Sequence, residues 1–325
     1  MKKIKSLLKI NAEPSGAPHS FAFYCDGWLA QCRDRIRESS YIKYETAVKR
    51  HIKPELGAFP PERITTEAVG EFSRGLLCAK QLAPKTVRDI LVVLHSILEY
   101  SSRRFPNVFS TVEISYPKEG RKTMRVLSRD EQRRFIDYLS RGAGDPCKLG
   151  LLLMLLTGMR IGELCALRWG SIDCAEQTLS ITATMQRLRC EDDGAQCRTR
   201  IAIGAPKSDT SMRVIPLTDG TAALCRRYCV ADADAFVLTG TEKFMEPRTL
   251  QYRIAGYTAE CGLEGVHAHT LRHTFATRAV EVGFEIKSLS EILGHASTTI
   301  TLERYVHPSI ELKRQNMQKL ESAGL

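Results

Sequence analysis

Apolar residues recur at helical spacing in four stretches near the start of the chain. The first runs from Phe21 to Arg35 and places Phe21, Tyr24, Cys25, Trp28, Leu29 and Cys32 on one side. The second, Ser39 to Ile52, carries Tyr41, Tyr44, Val48 and Ile52 on one stripe. The third, Thr66 to Cys78, opens on a threonine cap, and the fourth, Pro84 to Arg103, repeats Val87, Leu91, Leu94 and Leu98. Pro84 falls in a first turn, where a missing N–H costs nothing. Together they predict a small all-helical domain over residues 20–104, preceded by a short basic lead, residues 1–19.

The pattern breaks over residues 105–126. Pro106, Pro117, Gly120 and a basic run from Lys118 to Arg125 read as a linker. Ser128 and Glu131 then make a capping-box pair that opens a second domain, residues 127–325. The run Leu149 to Leu156 is apolar on every side and predicts a buried helix; it is far short of the ~20 residues that span a bilayer. That helix ends at Thr157-Gly158, and another runs from Ile161 to Trp169. Leu179 to Thr184 and Met212 to Leu217 alternate as strands around a polar, turn-rich stretch, predicting a small antiparallel sheet. Helices resume at Asp219 and continue to about Leu320, the last a short amphipathic tail helix. The fold class expected is mainly α with a small antiparallel β-sheet.

Composition narrows the partners. The chain has 325 residues, 43% of them hydrophobic, enough for two domains with real cores. Its net charge of +10 fits a polyanion such as DNA. Residues 1–120 hold 19 Lys and Arg against 13 Asp and Glu, so the N-terminal part is the more basic for its length. Eleven cysteines, an odd number, include no CxxC pair, and several sit in apolar helical stretches. They read as small hydrophobes of a reduced bacterial cytoplasm. Cys190 with Cys197 and Cys225 with Cys229 could pair on oxidation, but are read as free thiols. Met1 to Ile10 carries four lysines without the continuous apolar run of an export signal.

Four separated motifs carry the chemistry: Thr157-Gly-Met-Arg-Ile-Gly-Glu-Leu164, Pro206-Lys-Ser-Asp209, His269-Thr-Leu-Arg-His273, and Leu293-Gly-His295 followed by Tyr305. In this order they resemble the tyrosine recombinases, the phage-type integrases, across nearly the whole chain. The family pattern of Arg, Lys, His-x-x-Arg, His and Tyr falls on Arg160, Lys207, His269, Arg272, His295 and Tyr305. The resemblance implies a SAM-like DNA-binding domain ahead of a catalytic domain, the two clamping duplex DNA, with four protomers on paired sites.

It also implies a mechanism. Strand exchange passes a phosphoryl group between two alcohols, and charge grows on the non-bridging oxygens. Arg160 and Arg272 would bind those oxygens in bidentate fashion, with His295 as a further donor. His269 would handle protons near the nucleophile. Tyr305, with an ordinary pKa near 10, would attack to leave a 3′-phosphotyrosine and a free 5′ hydroxyl. Lys207 would protonate that leaving oxygen. The ester conserves the bond energy, so neither ATP nor a metal or other cofactor is needed. Glu163 would orient a basic neighbour, and Gly158 and Gly162 would permit tight packing around Arg160.

Alternatives follow from the same residues. His269 and His273 have the i, i+4 spacing of a zinc helix and His267 is near, but Thr270 replaces the expected Glu and Arg272 would crowd a metal. His273 is instead read as packing or hydrogen-bonding inside the domain. Within the recombinase chemistry the reading favoured is an integrase of a mobile element, with a possible excision helper protein. Others are an Xer-like resolvase of chromosome or plasmid dimers and a type IB topoisomerase-like activity. A catalytically silent DNA-binding protein is the reading from another class. The short lead is read as too small for an additional arm-site domain, so the expectation is either simple core sites or a short basic arm.

Overall fold

A computed structural model describes residues 20–106, 108–109, 111–120, 124–142, 144–190, 199–206, 209–305, 314, 317–318 and 321. The chain divides into two units, Met1–Lys122 and Thr123–Leu325.

The first unit is helical. Its elements are α1 (Phe21–Arg33), α2 (Glu38–Ala47), α3 (Lys53–Leu56), α4 (Thr66–Arg74) and α5 (Pro84–Arg104). Widened π turns at Val48–Ile52 and Gly75–Ala79 join α2 to α3 and extend α4. The cap of α4 is Thr65, whose hydroxyl accepts from the Ala68 N–H. The predicted stripes meet in one core in which Phe21, Val48, Ile52, Leu91, Leu94 and Ile97 are sealed from solvent. Burying each such side chain stabilises the unit by about 1.5–3 kcal/mol. The stretch read as linker begins on this core. Phe105, Phe109, Val112 and Ile114 pack against it, and Phe109 meets Tyr24 edge-on with centroids 4.9 Å apart. Glu113 N–H donates to Thr66 Oγ1 at 3.0 Å. In the sequence, Pro106 interrupts the spacing of these apolar residues, and Pro117 and Gly120 follow them.

The second unit is mainly helical with two small antiparallel sheets. It opens with α6 (Arg129–Arg141), where both bonds of the Ser128–Glu131 capping box form. Next come α7 (Pro146–Thr157), with most of its residues buried, and α8 (Ile161–Ala166). Strands β1 (Ile172–Asp173), β2 (Thr178–Ile181) and β5 (Arg213–Pro216) form one sheet in the order β1-β2-β5. A separate hairpin pairs β3 (Thr184–Arg189) with β4 (Thr199–Gly204), inside the stretch read as turn-rich. The helices that follow are α9 (Asp219–Tyr228), α10 (Pro247–Glu260), α11 (Ala268–Glu281), α12 (Ile286–Leu293) and α13 (Thr298–Tyr305).

Cys197 and most of the predicted tail helix lie outside the described residues; Arg314, Met317, Gln318 and Glu321 are helical and exposed. No helix among the described residues is long and apolar enough to cross a membrane.

Candidate active site

The site is built where helix ends meet. Helix α7 stops at Gly158, which holds a left-handed φ of +68°; a Cβ there would lie 2.4 Å from the Phe275 ring. Met159 is buried behind the turn and anchors it. Arg160 is then the N-cap residue of α8. Its own N–H donates to Glu163 Oε2 at 2.8 Å, and its guanidinium donates to Glu163 Oε1 at 2.7 Å. Gly162 lets α8 approach β3, since a Cβ there would sit 2.6 Å from the Met185 carbonyl oxygen.

Both candidate arginines are fixed by carbonyls at helix C-termini, the electronegative ends of the helix dipoles. Arg160 donates to the Gly294 carbonyl at 2.7 Å. Arg272, on α11, donates to the Gly158 carbonyl at 2.8 Å and the Leu293 carbonyl at 2.7 Å, and is only 4% exposed. Burial, and then Arg160 beside it, lowers its pKa to about 9, which leaves it a cation at neutral pH. Gly294 ends α12 in the left-handed conformation, and His295 follows at once.

Helix α13 supplies the rest. The His295 Nδ1 lies 2.7 Å from Thr301 Oγ1. A Thr301 hydroxyl donating to that nitrogen puts the ring proton on Nε2, free to point at an anion. The His295 ring lies parallel to Tyr305, with centroids 6.3 Å apart. Tyr305 is buried among Ala276, Ala279, Leu289 and Leu293. Its hydroxyl is 2.8 Å from His273 Nδ1. His273 in turn stacks on His269, with centroids 6.2 Å apart.

The electrostatics describe an anion pocket. Burial pushes the His295 pKa down to about 3, helped by Arg272, Arg160, Arg304 and Arg213. Burial also lowers His269, with His267, Arg272, Arg160 and Arg304 acting the same way. The imidazoles are therefore neutral at pH 7, and the charge belongs to the arginines. Burial raises the Tyr305 phenol above its ordinary range, while Arg272, Arg304 and Arg160 oppose that rise.

The structure thus gathers Arg160, His269, Arg272, His295 and Tyr305 into one cluster of the second unit. Lys207 lies outside the described residues, between Pro206 and Asp209. His267, His269 and His273 do not converge: His267 caps α11 through the Thr270 N–H, and its ring stands 6.4 Å from His269. No group of three His, Cys, Asp or Glu able to hold a metal occurs among the described residues.

Residues 125–311 match the phage integrase family, and residues 20–77 match the N-terminal SAM-like domain of phage integrases. The chain belongs to the phage integrase family. As a tyrosine recombinase of that family it is a DNA strand transferase. Its relatives include the tyrosine recombinase XerC of Alcanivorax borkumensis, 25% identical over 258 residues and 78% of each chain. A tyrosine recombinase of Thermosipho africanus is 25% identical over 309 residues, 88% of this chain and 100% of that one. Among solved structures, the Tn1549 transposon integrase in complex with a circular intermediate DNA aligns with a TM-score of 0.74 at 18% identity. That match covers 93% of this chain and 99% of the other. A lambda integrase tetramer bound to a Holliday junction aligns at 0.63 and 17% identity, covering 94% and 81%. At these identities the integrase structures share the two-domain fold with this one.

Two residues of this recombinase's pocket escaped the sequence reading. Arg213 on β5 has a 6% exposed side chain and donates to both oxygens of Glu163 at 3.0 and 2.9 Å. Burial would raise the Glu163 carboxyl, but Arg213 and Arg160 override it and hold it below the usual range. Strand alternation was the available signal, because Arg213 shares the inward face with Ile215 while Val214 points out. The other is His273, read as packing or hydrogen-bonding inside the domain; it does hydrogen-bond there, and the partner, which the sequence did not name, is the Tyr305 hydroxyl.

Proposed function

We propose that this protein cuts and rejoins DNA at specific sites through a 3′-phosphotyrosyl bond to Tyr305. Supporting this is the meeting of the Tyr305 hydroxyl, a buried Arg272, Arg160 and two neutral histidines in a pocket with surplus positive charge. A phosphodiester placed there would find fixed donors for its non-bridging oxygens without reorganisation. Arg160 and Arg272 form the clamp and His295 adds an Nε2 donor. His269 stacks on the imidazole that meets the nucleophile, and Lys207 protonates the departing 5′ oxygen. Double-stranded recombination sites, four copies assembled on two of them and a cytoplasmic setting complete the reading. The lambda integrase tetramer on a Holliday junction provides the analogy for assembly.

Within that chemistry we favour an integrase of a mobile element. The fold shared with the Tn1549 transposon integrase over nearly the full length of both chains supports it. The second reading, an Xer-like dimer resolvase, draws on the XerC relative. One experiment separates them. Covalent protein–DNA complexes are trapped in cells and the attached ends are sequenced, with Tyr305→Phe as control. Ends at the junctions of an integrated element support the integrase, and a single fixed site on a chromosome or plasmid that carries no element supports the resolvase. Adducts that persist in Tyr305→Phe would remove Tyr305 from its role.

A further inference from the structure

The assignment of His269 to proton handling leaves the hydroxyl of Tyr305 with an unused neighbour. His273 Nδ1 is 2.8 Å from that oxygen, whereas His269 stacks on the other imidazole with ring centroids 6.2 Å away. We propose that His273 takes the phenolic proton of Tyr305 as the oxygen–phosphorus bond forms, making it the base at the nucleophile. The inference rests on the reading of Tyr305 as that nucleophile.

The direction of the hydrogen bond follows from the two groups. The buried phenol holds its proton above the ordinary range, so it is the donor. Burial depresses His273 to about 4, aided by His269, Arg272 and His267 from α11 and by Arg304 from α13, so its ring is neutral and Nδ1 accepts. Acceptance at Nδ1 puts the ring's own proton on Nε2. Geometry therefore presents the phenol with a lone pair on the line its proton must leave by, within hydrogen-bond reach of the kind general-base transfer needs. The same cations that weaken His273 are those a DNA phosphate would contact or approach. A bound phosphodiester offsets part of their field and strengthens His273 as a base when substrate is present.

The step balances. The Tyr305 oxygen bonds to phosphorus and the bond from phosphorus to the 5′ oxygen breaks. The phenol proton passes to His273 Nδ1, and a proton from Lys207 caps the 5′ oxygen. Rejoining runs the same path backward: the 5′ hydroxyl returns its proton to Lys207, and the leaving phenolate recovers its own from His273. No external acid or base is consumed across a full cycle.

The test measures single-turnover formation of the covalent adduct by the full chain on a nicked DNA substrate, against pH. His273→Asn is the informative variant, because the amide oxygen can accept the same hydrogen bond but cannot take the proton; His273→Ala is made beside it. Both are expected to bind DNA and to form the Tyr305 adduct at least about a hundredfold more slowly than the parent. The parent's rate should fall on the acid side as His273 protonates, and His273→Asn should lack that limb. A substrate with sulfur at the 5′ bridging position leaves without a proton, so it should restore Lys207→Ala but neither His273 variant. His273→Asn reacting within a few-fold of the parent would reduce the contact to orientation and overturn the proposal. Rescue of His273→Asn by sulfur would overturn it as well, by placing the lost proton transfer on the leaving group. A parent protein with no Tyr305 adduct would sink the underlying reading first, and that outcome is visible without any variant.

Discussion

The two units of this protein solve burial in opposite ways. Among the described residues of the first unit, Ser101 is the buried polar side chain, and it is satisfied within its own helix by the Ile97 carbonyl at 2.7 Å. The second unit buries Thr157, Glu163, Thr270, Arg272, Thr274, Ser290 and Thr301 around the candidate site. Apolar contact is non-directional, so the first core tolerates substitution at a cost set mainly by volume. A buried guanidinium or carboxylate is costly unless each of its bonds is met, so the second core fixes its members in place. The polar interior is where the chemistry sits: the bonds that satisfy Arg272 also aim it.

The largest effect that would break this contrast is expected from Arg272→Ala. Cleavage should fall by a factor of about 100–1,000 or more, as for loss of a transition-state donor. The Gly158 and Leu293 carbonyls would also lose their donors, so the melting temperature should drop. Near-normal single-turnover cleavage would remove Arg272 from the clamp. Next comes Arg213→Ala, which strips a buried carboxylate of its two-pronged partner. A loss of about 3–5 kcal/mol in chemical denaturation is expected, as for breaking a buried pair by removing one member. A change under about 1 kcal/mol would mean that Arg160 alone satisfies Glu163.

Leu94→Ala examines the other side. It should destabilise the first unit by about 2–5 kcal/mol while adduct formation by the folded protein stays within a few-fold. A selective collapse of cleavage with stability intact would show that the first core serves the chemistry directly. A pH dependence gives a further contrast. The folded pKa values of His295 and His273, about 3 and 4, lie below the ordinary 6.5. Their contribution to stability is complete above about pH 6.5 and is lost as the pH falls through those values. Hydrogen exchange followed from pH 7 to 4 should therefore show α11–α13 opening earlier than α5. The first unit has a lowered histidine of its own, His51, so the contrast is one of degree. Equal acid sensitivity of the two regions would contradict it.

The same contrast explains what the sequence made legible. Helices of the first unit announce themselves because their apolar residues repeat at a fixed spacing, and α7 because it is apolar all round. The turn at Gly158 and the capping box at Ser128 could be placed from short local patterns, whereas the site positions rest on the order of four separated motifs and the family resemblance that order carries. The β3–β4 hairpin could not be placed: the consecutive polar pair Gln186-Arg187 breaks the alternation of β3, and the register is set by cross-strand bonds. The π turns leave no mark at the level of apolar spacing. The role of Arg213 and the partner of His273 were not legible for a common reason. Each residue gains its role from a partner far along the chain, Glu163 and Tyr305, and neither departs from the surface or packing residue its neighbours suggest.

The central claim is that the phenolic oxygen of Tyr305 carries the DNA, and mapping the attachment tests it most directly. The adduct formed on a nicked substrate is digested with protease and nuclease, and the peptide bearing the residual nucleotide is sequenced by tandem mass spectrometry. The account predicts a single modified peptide with a 3′-linked phosphonucleotide on Tyr305. A nucleotide on any other residue, or a 5′ linkage, would contradict it.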